Sequence, residues 1–377
     1  MKKVIITDLL ILAVFGSTCF WSVKKERLTA SVDKILTEQA SEDEEILVLT
    51  ANDLTKEKDQ EKREGYIKWA EFTVSKFALT ESYEYDRDTY GTDRHISWID
   101  LLAWTAAHTG GKFGDDRTVC KCMEELEMEA EAGKKLEELT EDLEYFPYYR
   151  EVYETVLGGM VGEYEIEEPD AQGRKVTQKR YGLKAFHPIA KGFPYTDYDD
   201  FGASRSYGYR REHLGHDMMG QVGTPVVCVE SGYVEALGWN QYGGWRIGIR
   251  SFDKKRYYYY AHLRQGFPYQ PELKEGSVVL AGDVIGYMGH TGYSTKEDVN
   301  NIDQTHLHVG MQLIFDESQK DSDNEIWIDC YQIMGFLYRN QSETARNDET
   351  KEWRRIYEMK DPAAEKYERT LDFSMYP

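Results

Sequence analysis

His213-Leu214-Gly215-His216-Asp217 and, farther along, His306-Leu307-His308 decide how this chain is read, because together they offer metal ligands on two separate pieces of backbone. A zinc ion takes neutral imidazole nitrogens and carboxylate oxygens in tetrahedral geometry, and a hydrolytic site keeps one of the four positions for water. Three protein ligands therefore suffice. Residues two apart on a strand project from the same face, so His306 and His308 can share one site while Leu307 turns toward a core. A lone His-x-His is more often two packed or solvated imidazoles than a metal site. Here seven of the nine histidines lie between His187 and His308, in a stretch that also holds Gly-rich turns and the strand-like run Arg256 to Leu263.

The motifs in order are His-x-Gly-x-Asp (213–217), Tyr-x-His-Leu (260–263), Gly-Asp-x-Ile-Gly-x-x-Gly-x-Thr-Gly-x-Ser-Thr (282–295) and His-Leu-His (306–308). This series resembles the lysostaphin-type, or LytM-type, zinc peptidases that cut peptidoglycan, over roughly residues 184–315. The resemblance implies that His213, Asp217 and His308 are zinc ligands and that His262 and His306 are the catalytic pair beside the bound water. All five positions are filled, which favours an active enzyme over a binding or regulatory module of the same fold.

The residue types suit that chemistry on their own terms. Zinc lowers the pKa of its bound water to about 7 and polarises a carbonyl. A neighbouring imidazole can orient or deprotonate the water while another donates to the developing oxyanion. His262 and His306 suit these two roles, and the sequence does not say which takes which. His216 lies between two presumed ligands on the opposite face of an extended segment and is read as packed or exposed. His290 falls in a Gly-rich turn. His95, His108 and His187 are not assigned to the metal.

At 377 residues and 41% hydrophobic, the chain has room for more than one domain and a substantial core. A formal charge of −22 argues against a nucleic-acid partner, whose phosphates would be repelled. The five cysteines form no dense framework, so disulfides are not required, and Cys120 and Cys122 on a helix would point apart. Lys2 and Lys3 precede an apolar run from Val4 to Val23, broken by Asp8, close to the roughly 20 residues that span a bilayer. With no clear Ala-x-Ala cleavage site, the run is read as an uncleaved single-pass anchor. The catalytic part would then face outward, because cell-wall substrate lies outside the bacterial membrane.

The organisation expected is α+β and multidomain: a transmembrane anchor (1–23), a charged stalk (24–64), an α-helical accessory domain (65–162), a linker or exposed hairpin (163–183), a mainly antiparallel β peptidase domain with an open zinc groove (184–340), and a charged, peripheral C-terminal tail (341–377). In the accessory segment, Ile67, Ala70, Val74 and Phe77 recur at helical spacing, and Ser97 is placed to cap a helix that stops at Gly110-Gly111. One departure from the family pattern is the loop 296–305 between Thr295 and His306. It is expected beside the zinc, where Glu297, Asp298 and Asp303 would favour a substrate with free amines. The function expected is a membrane-anchored zinc endopeptidase acting on stem or cross-bridge peptides of peptidoglycan. The other reading is a non-hydrolytic partner-binding module in a cell-envelope or sporulation channel complex.

Overall fold

The computed structural model describes residues 70 and 72–374, apart from 208 and 321–324. The anchor expected over 1–23 and the stalk over 24–64 lie outside the described residues. Among the described residues, no helix is long and apolar enough to cross a membrane.

Helices come first, and their ends follow local chemistry. The hydroxyls of Ser75 and Ser97 accept from the backbone N–H groups of Ala78 and Asp100 at the starts of helices Lys76–Thr89 and Trp98–Thr109, satisfying donors that the first turn cannot pair itself. Gly110 closes the second helix at φ 63°, the left-handed cap that glycine adopts without steric cost. The helical spacing expected through Val74 is not realised, because Ser75 is extended (ψ 153°) and the helix begins only after it.

The helical segment is not a separate accessory domain. In Trp98–Thr109 every residue from Trp98 to Ala106 is buried, and a helix that is covered all round needs neighbours on every side. Phe146–Leu157 supplies one wall. Another comes from Tyr331–Leu337, a helix far along the chain whose Phe336 ring lies 5.7 Å from Tyr83 and 6.0 Å from Trp98. The apolar core runs without a break from Leu79, Leu101 and Val152 to Ile247, Tyr258 and Leu307.

Residues 163–183 are the body of a hairpin, Val161–Pro169 with Lys175–Leu183, and a third strand, Met359–Lys360, pairs with it. The C-terminal segment is accordingly no peripheral tail. Its charges are packed because they are paired: Asp361 is 3% exposed and meets Lys184 at 2.9 Å, and Arg355 meets Asp283 at 3.1 Å.

The main sheet is antiparallel. Among the described residues its strands run in the spatial order Val278–Val279, Gly232–Asn240, Gly244–Ser251, Arg256–Ala261, His306–Leu313, His216–Met219 and Thr196–Asp197, with Ile326–Ile328 also pairing with His306–Leu313. Side chains alternate between faces. Tyr258, Tyr260, Ile247, Ile249, Leu307, Val309 and Met311 enter the core with essentially no exposure. Arg246, Tyr257, Tyr259, His306 and His308 project from the other face and line an open groove of about 740 Å³.

A buried charge joins the helices to the sheet. The Arg256 guanidinium, 1% exposed, donates to Glu230 at 2.7 and 2.9 Å, to Asp253 at 2.8 Å and to the Thr155 carbonyl at 2.6 Å; the Tyr258 hydroxyl donates to Glu230 at 2.7 Å. Desolvating such a group costs several kcal/mol, which its partners roughly offset. The network therefore fixes the strand against the helix end more than it adds net stability. Replacing Arg256 with alanine strands Glu230 in the core and is expected to cost about 3–5 kcal/mol, read from urea unfolding of the full chain. A loss below about 1 kcal/mol, the range of an exposed pair, would show that the network is not closed to water.

Candidate active site

Backbone pairing brings two of the motifs together. Asp217 sits directly opposite His308 across the antiparallel pair His216–Met219 and His306–Leu313, where side chains on one face are close enough to touch. His213 reaches the same point from the turn after Tyr209–Glu212. The His213 Nε2 lies 3.1 Å from Asp217 Oδ1 and 3.0 Å from His308 Nδ1, and the last two atoms are 3.0 Å apart. A tetrahedral ion with bonds of about 2.0–2.1 Å would hold its donors about 3.3 Å apart, so small outward movements admit one. Among the described residues these three form the cluster able to hold a metal ion, and two nitrogens with one carboxylate oxygen are a donor set that fits zinc.

Second contacts aim each donor. The His213 Nδ1–H donates to the Asp200 carbonyl oxygen at 3.2 Å, with the Asp200 carboxylate also at 3.2 Å, leaving Nε2 as the unprotonated nitrogen that faces the site. Arg205 donates to Asp200 and, at 3.3 Å, to the second oxygen of Asp217. Burial works against the Asp217 carboxylate, but the close approach of His213 and His308, with His306 nearby, outweighs it and holds the carboxyl well below the usual range. Burial likewise keeps His308 below the ordinary imidazole value, against the pull of Asp217. Gly215 has a packing role: a Cβ there would stand 2.5 Å from the His308 ring, so the glycine of His-x-Gly-x-Asp lets the ligand segment pass over the histidine.

His262 and His306 flank this cluster, with ring centroids 4.6 Å apart. His262 follows the strand Arg256–Ala261 in a left-handed conformation, φ 60°, which a non-glycine residue adopts only when the surroundings impose it. Its N–H donates to Gly243 and its carbonyl accepts from Gly289. The His262 Nδ1–H donates to the Thr291 carbonyl at 3.0 Å, and the His306 Nδ1–H to the Gln304 carbonyl at 2.8 Å. Carbonyl oxygens only accept, so in the neutral tautomer of each ring the proton is on Nδ1 and Nε2 is the acceptor. The His306 Nε2 points toward Asp217 Oδ1, 3.6 Å away. Burial, reinforced by the nearby His306 and His308, holds His262 well below the ordinary imidazole value. Gly292, φ 125°, lets the turn carrying Thr291 press against the Tyr242 carbonyl, 2.5 Å from where a Cβ would be.

The remaining histidines are engaged elsewhere. His216, 2% exposed, meets Asp197 at 2.9 Å; His290 bonds the Ile302 carbonyl; His187 is buried against Tyr195, and burial lowers its pKa to about 4. His95 meets Asp86 and His108 the Trp104 carbonyl.

The 296–305 loop departs from expectation. Asp298, φ 60°, accepts from the Trp245 indole and the Gly266 N–H at 2.8 Å each, and its carbonyl accepts from Gln265. None of the described groove-lining residues comes from this loop, and Glu297 and Asp303 face solvent. The loop is anchored by its own acid and does not present an acidic rim to the groove. Sequence reasoning also passed over Arg205, Asp200, Arg211 and Tyr293. They belong to no spaced pattern, although five arginines between 205 and 250, in the histidine-rich stretch of an acidic chain, were a signal.

Comparison with known proteins places this geometry. The model of peptidase family M23 matches residues 211–322. The chain is 42% identical over 124 residues to the L-Ala–D-Glu endopeptidase of Bacillus subtilis, covering 33% of this chain and 36% of that protein. It is 32% identical over 123 residues to the glycyl-glycine endopeptidase ALE-1 of Staphylococcus capitis, covering 32% and 31%. The match thus spans about a third of the length of these relatives. Among solved structures, the catalytic domain of lysostaphin from Staphylococcus simulans aligns at 29% identity over 37% of this chain and 92% of that one, with a TM-score of 0.29. Residues 211–322, which carry all five converging side chains, are a domain of peptidase family M23.

Proposed function

We propose that this protein is a zinc metalloendopeptidase that hydrolyses peptide bonds in bacterial peptidoglycan. The observation that carries the reading is the convergence of His213, Asp217, His308, His262 and His306 at one end of an open groove, a shape that admits an extended peptide from the side. The relatives are named for cutting L-Ala–D-Glu and glycyl-glycine bonds, which supports the substrate class.

His213, Asp217 and His308 hold the metal. When bound, zinc polarises the scissile carbonyl and makes water acidic enough to attack near neutral pH. The chain does the rest. Asp217 stays ionised, with Arg205 on its other oxygen. Each ring commits its Nδ1–H to a carbonyl, so Nε2 is the acceptor of His262 and of His306 in their neutral forms. Burial keeps His262 neutral at neutral pH. An imidazole in this state can take a proton from the attacking water and return it to the leaving amine.

We place the enzyme at the outer face of the membrane, held by the run Val4 to Val23. On that reading the full chain fractionates with membranes and resists carbonate extraction; recovery as a soluble product lacking the first twenty or so residues would overturn the anchor.

Purified full-length protein is expected to bind about one zinc per chain, with His308→Ala and Asp217→Ala losing most of it by elemental analysis. Unchanged zinc in both variants would reject the ligand set. His262→Ala and His306→Ala are expected to keep the metal and lose roughly 10²- to 10⁴-fold in turnover, measured by mass spectrometry of products from muropeptides of known cross-link. Absence of any peptide cleavage by the zinc-loaded wild type would overturn the proposed reaction.

A further inference from the structure

Beyond the imidazoles the groove continues along the open face of the sheet, and two guanidinium groups in its walls have no part in the chemistry above. Arg246 comes from Gly244–Ser251, and Arg211 from Tyr209–Glu212 beside the first ligand. Among the described residues, the Nη1 of each is buried without a hydrogen-bond partner. Arg211 is nonetheless held in place: its Nη2 donates to the Tyr293 hydroxyl at 3.0 Å, and its guanidinium carbon lies 4.8 Å from the centroid of the Tyr242 ring and 5.3 Å from that of Tyr293.

These two groups serve one place. Arg246 lies on the same face as Tyr259, whose strand partner is Gly248 two residues on, and Arg211 packs over Tyr242, next to Gly243, which closes on the Tyr259 hydroxyl; that hydroxyl accepts from Asn240 at 3.0 Å. The Tyr259 ring lies 5.9 Å from that of His308, and the Tyr293 ring 6.0 Å from that of His262. Through Tyr293 the Arg211 guanidinium lies within about 11 Å of the His262 ring, no more than about three extended peptide residues at about 3.3–3.6 Å each.

A guanidinium cannot shed its charge, and a buried N–H left unpaired is desolvated with nothing in return. Neutralisation from within was available, since acidic residues outnumber basic ones by 68 to 46. The groove acids are engaged with other groups: Glu235 meets Lys320 at 2.7 Å and Arg250 at 3.4 Å, and Glu325 accepts from the Trp327 indole. Glu212 is exposed at the rim. An anion from outside completes the arrangement, and the forked donors of arginine match a carboxylate in geometry as well as charge.

We propose that Arg211 and Arg246 form a carboxylate-receiving subsite, so that the preferred substrate is a peptide with a free carboxylate within about three residues of the bond that is cut. This rests on the peptidase reading for the identity of the ligand, and its test does not require cleavage. The full chain, freed of metal by a chelator, is titrated calorimetrically with two peptides containing Ala-D-Glu. In one the glutamate carboxyl outside the peptide backbone is free; in the other it is a carboxamide. The acid is expected to bind at least about tenfold more tightly, the scale of a charge-assisted hydrogen bond, with the preference reduced by added salt. Arg246→Met and Arg211→Met are each expected to bring the two affinities closer together, and Arg246→Lys to retain part of the preference; thermal unfolding checks that the variants fold. Equal binding of acid and amide by the wild type, no binding of either, or a preference unchanged in both methionine variants would overturn the subsite. A wild type that prefers the acid yet, once reloaded with zinc, cuts neither peptide would overturn the peptidase reading and leave the subsite standing.

Discussion

Everything at this site depends on the two-residue period of the strand His306–Leu313. Leu307, Val309 and Met311 are fully buried beneath it, and burying each is worth roughly 1.5–3 kcal/mol. That apolar row fixes which way the other row points, so His306 and His308 are held in the groove by the core on the far side of their own strand. A slip of one residue would exchange the faces, sending two imidazoles inward and three aliphatic side chains into solvent. The neighbouring strand is set by the same rule: His216 and Met218 go in, and Asp217 comes out opposite His308.

Around this register the chain adds constraints that steer atoms more than they add stability. His262 keeps a left-handed backbone because both its peptide groups are bonded to neighbouring turns. The carbonyls of Thr291 and Gln304 select the tautomers of the two flanking histidines, and Asp200 does so for His213. The buried Arg256 network ties the strand beside the site to the helix ending at Leu157. In a chain that carries 22 excess negative charges, the groove lining balances Arg205, Arg211, Arg246 and Lys320 against Glu212, Asp217, Glu235 and Glu325.

The two ligand-bearing motifs were legible because metal chemistry restricts residue type and strand alternation restricts direction, whereas the five individual roles, that of His262 above all, came from the resemblance to the lysostaphin-type peptidases. Helix starts at Ser75 and Ser97 were set by side-chain chemistry, but Ala70 and Val74 mimicked another helical turn that an extended Ser75 interrupts. The helical region looked separable because its apolar pattern is locally complete; its closing partners, Phe336 against Tyr83 and Trp98 and Arg256 on the Thr155 carbonyl, lie about a hundred residues or more away. The charged C-terminal segment looked peripheral because its ionic partners, Lys184 and Asp283, are distant in sequence. Asp298 illustrates the same limit: an acid in a surface loop gives no local sign that an indole and a backbone amide will consume it.

The central claim is that His213, Asp217 and His308 form a single zinc site at the end of this groove. Anomalous X-ray diffraction from crystals of the full-length protein grown with zinc, recorded above and below the zinc absorption edge, tests it most directly. The account requires one strong peak about 2.0–2.2 Å from His213 Nε2, Asp217 Oδ1 and His308 Nδ1, with the fourth position open to the groove. A fully occupied peak elsewhere with none between these three side chains would contradict it.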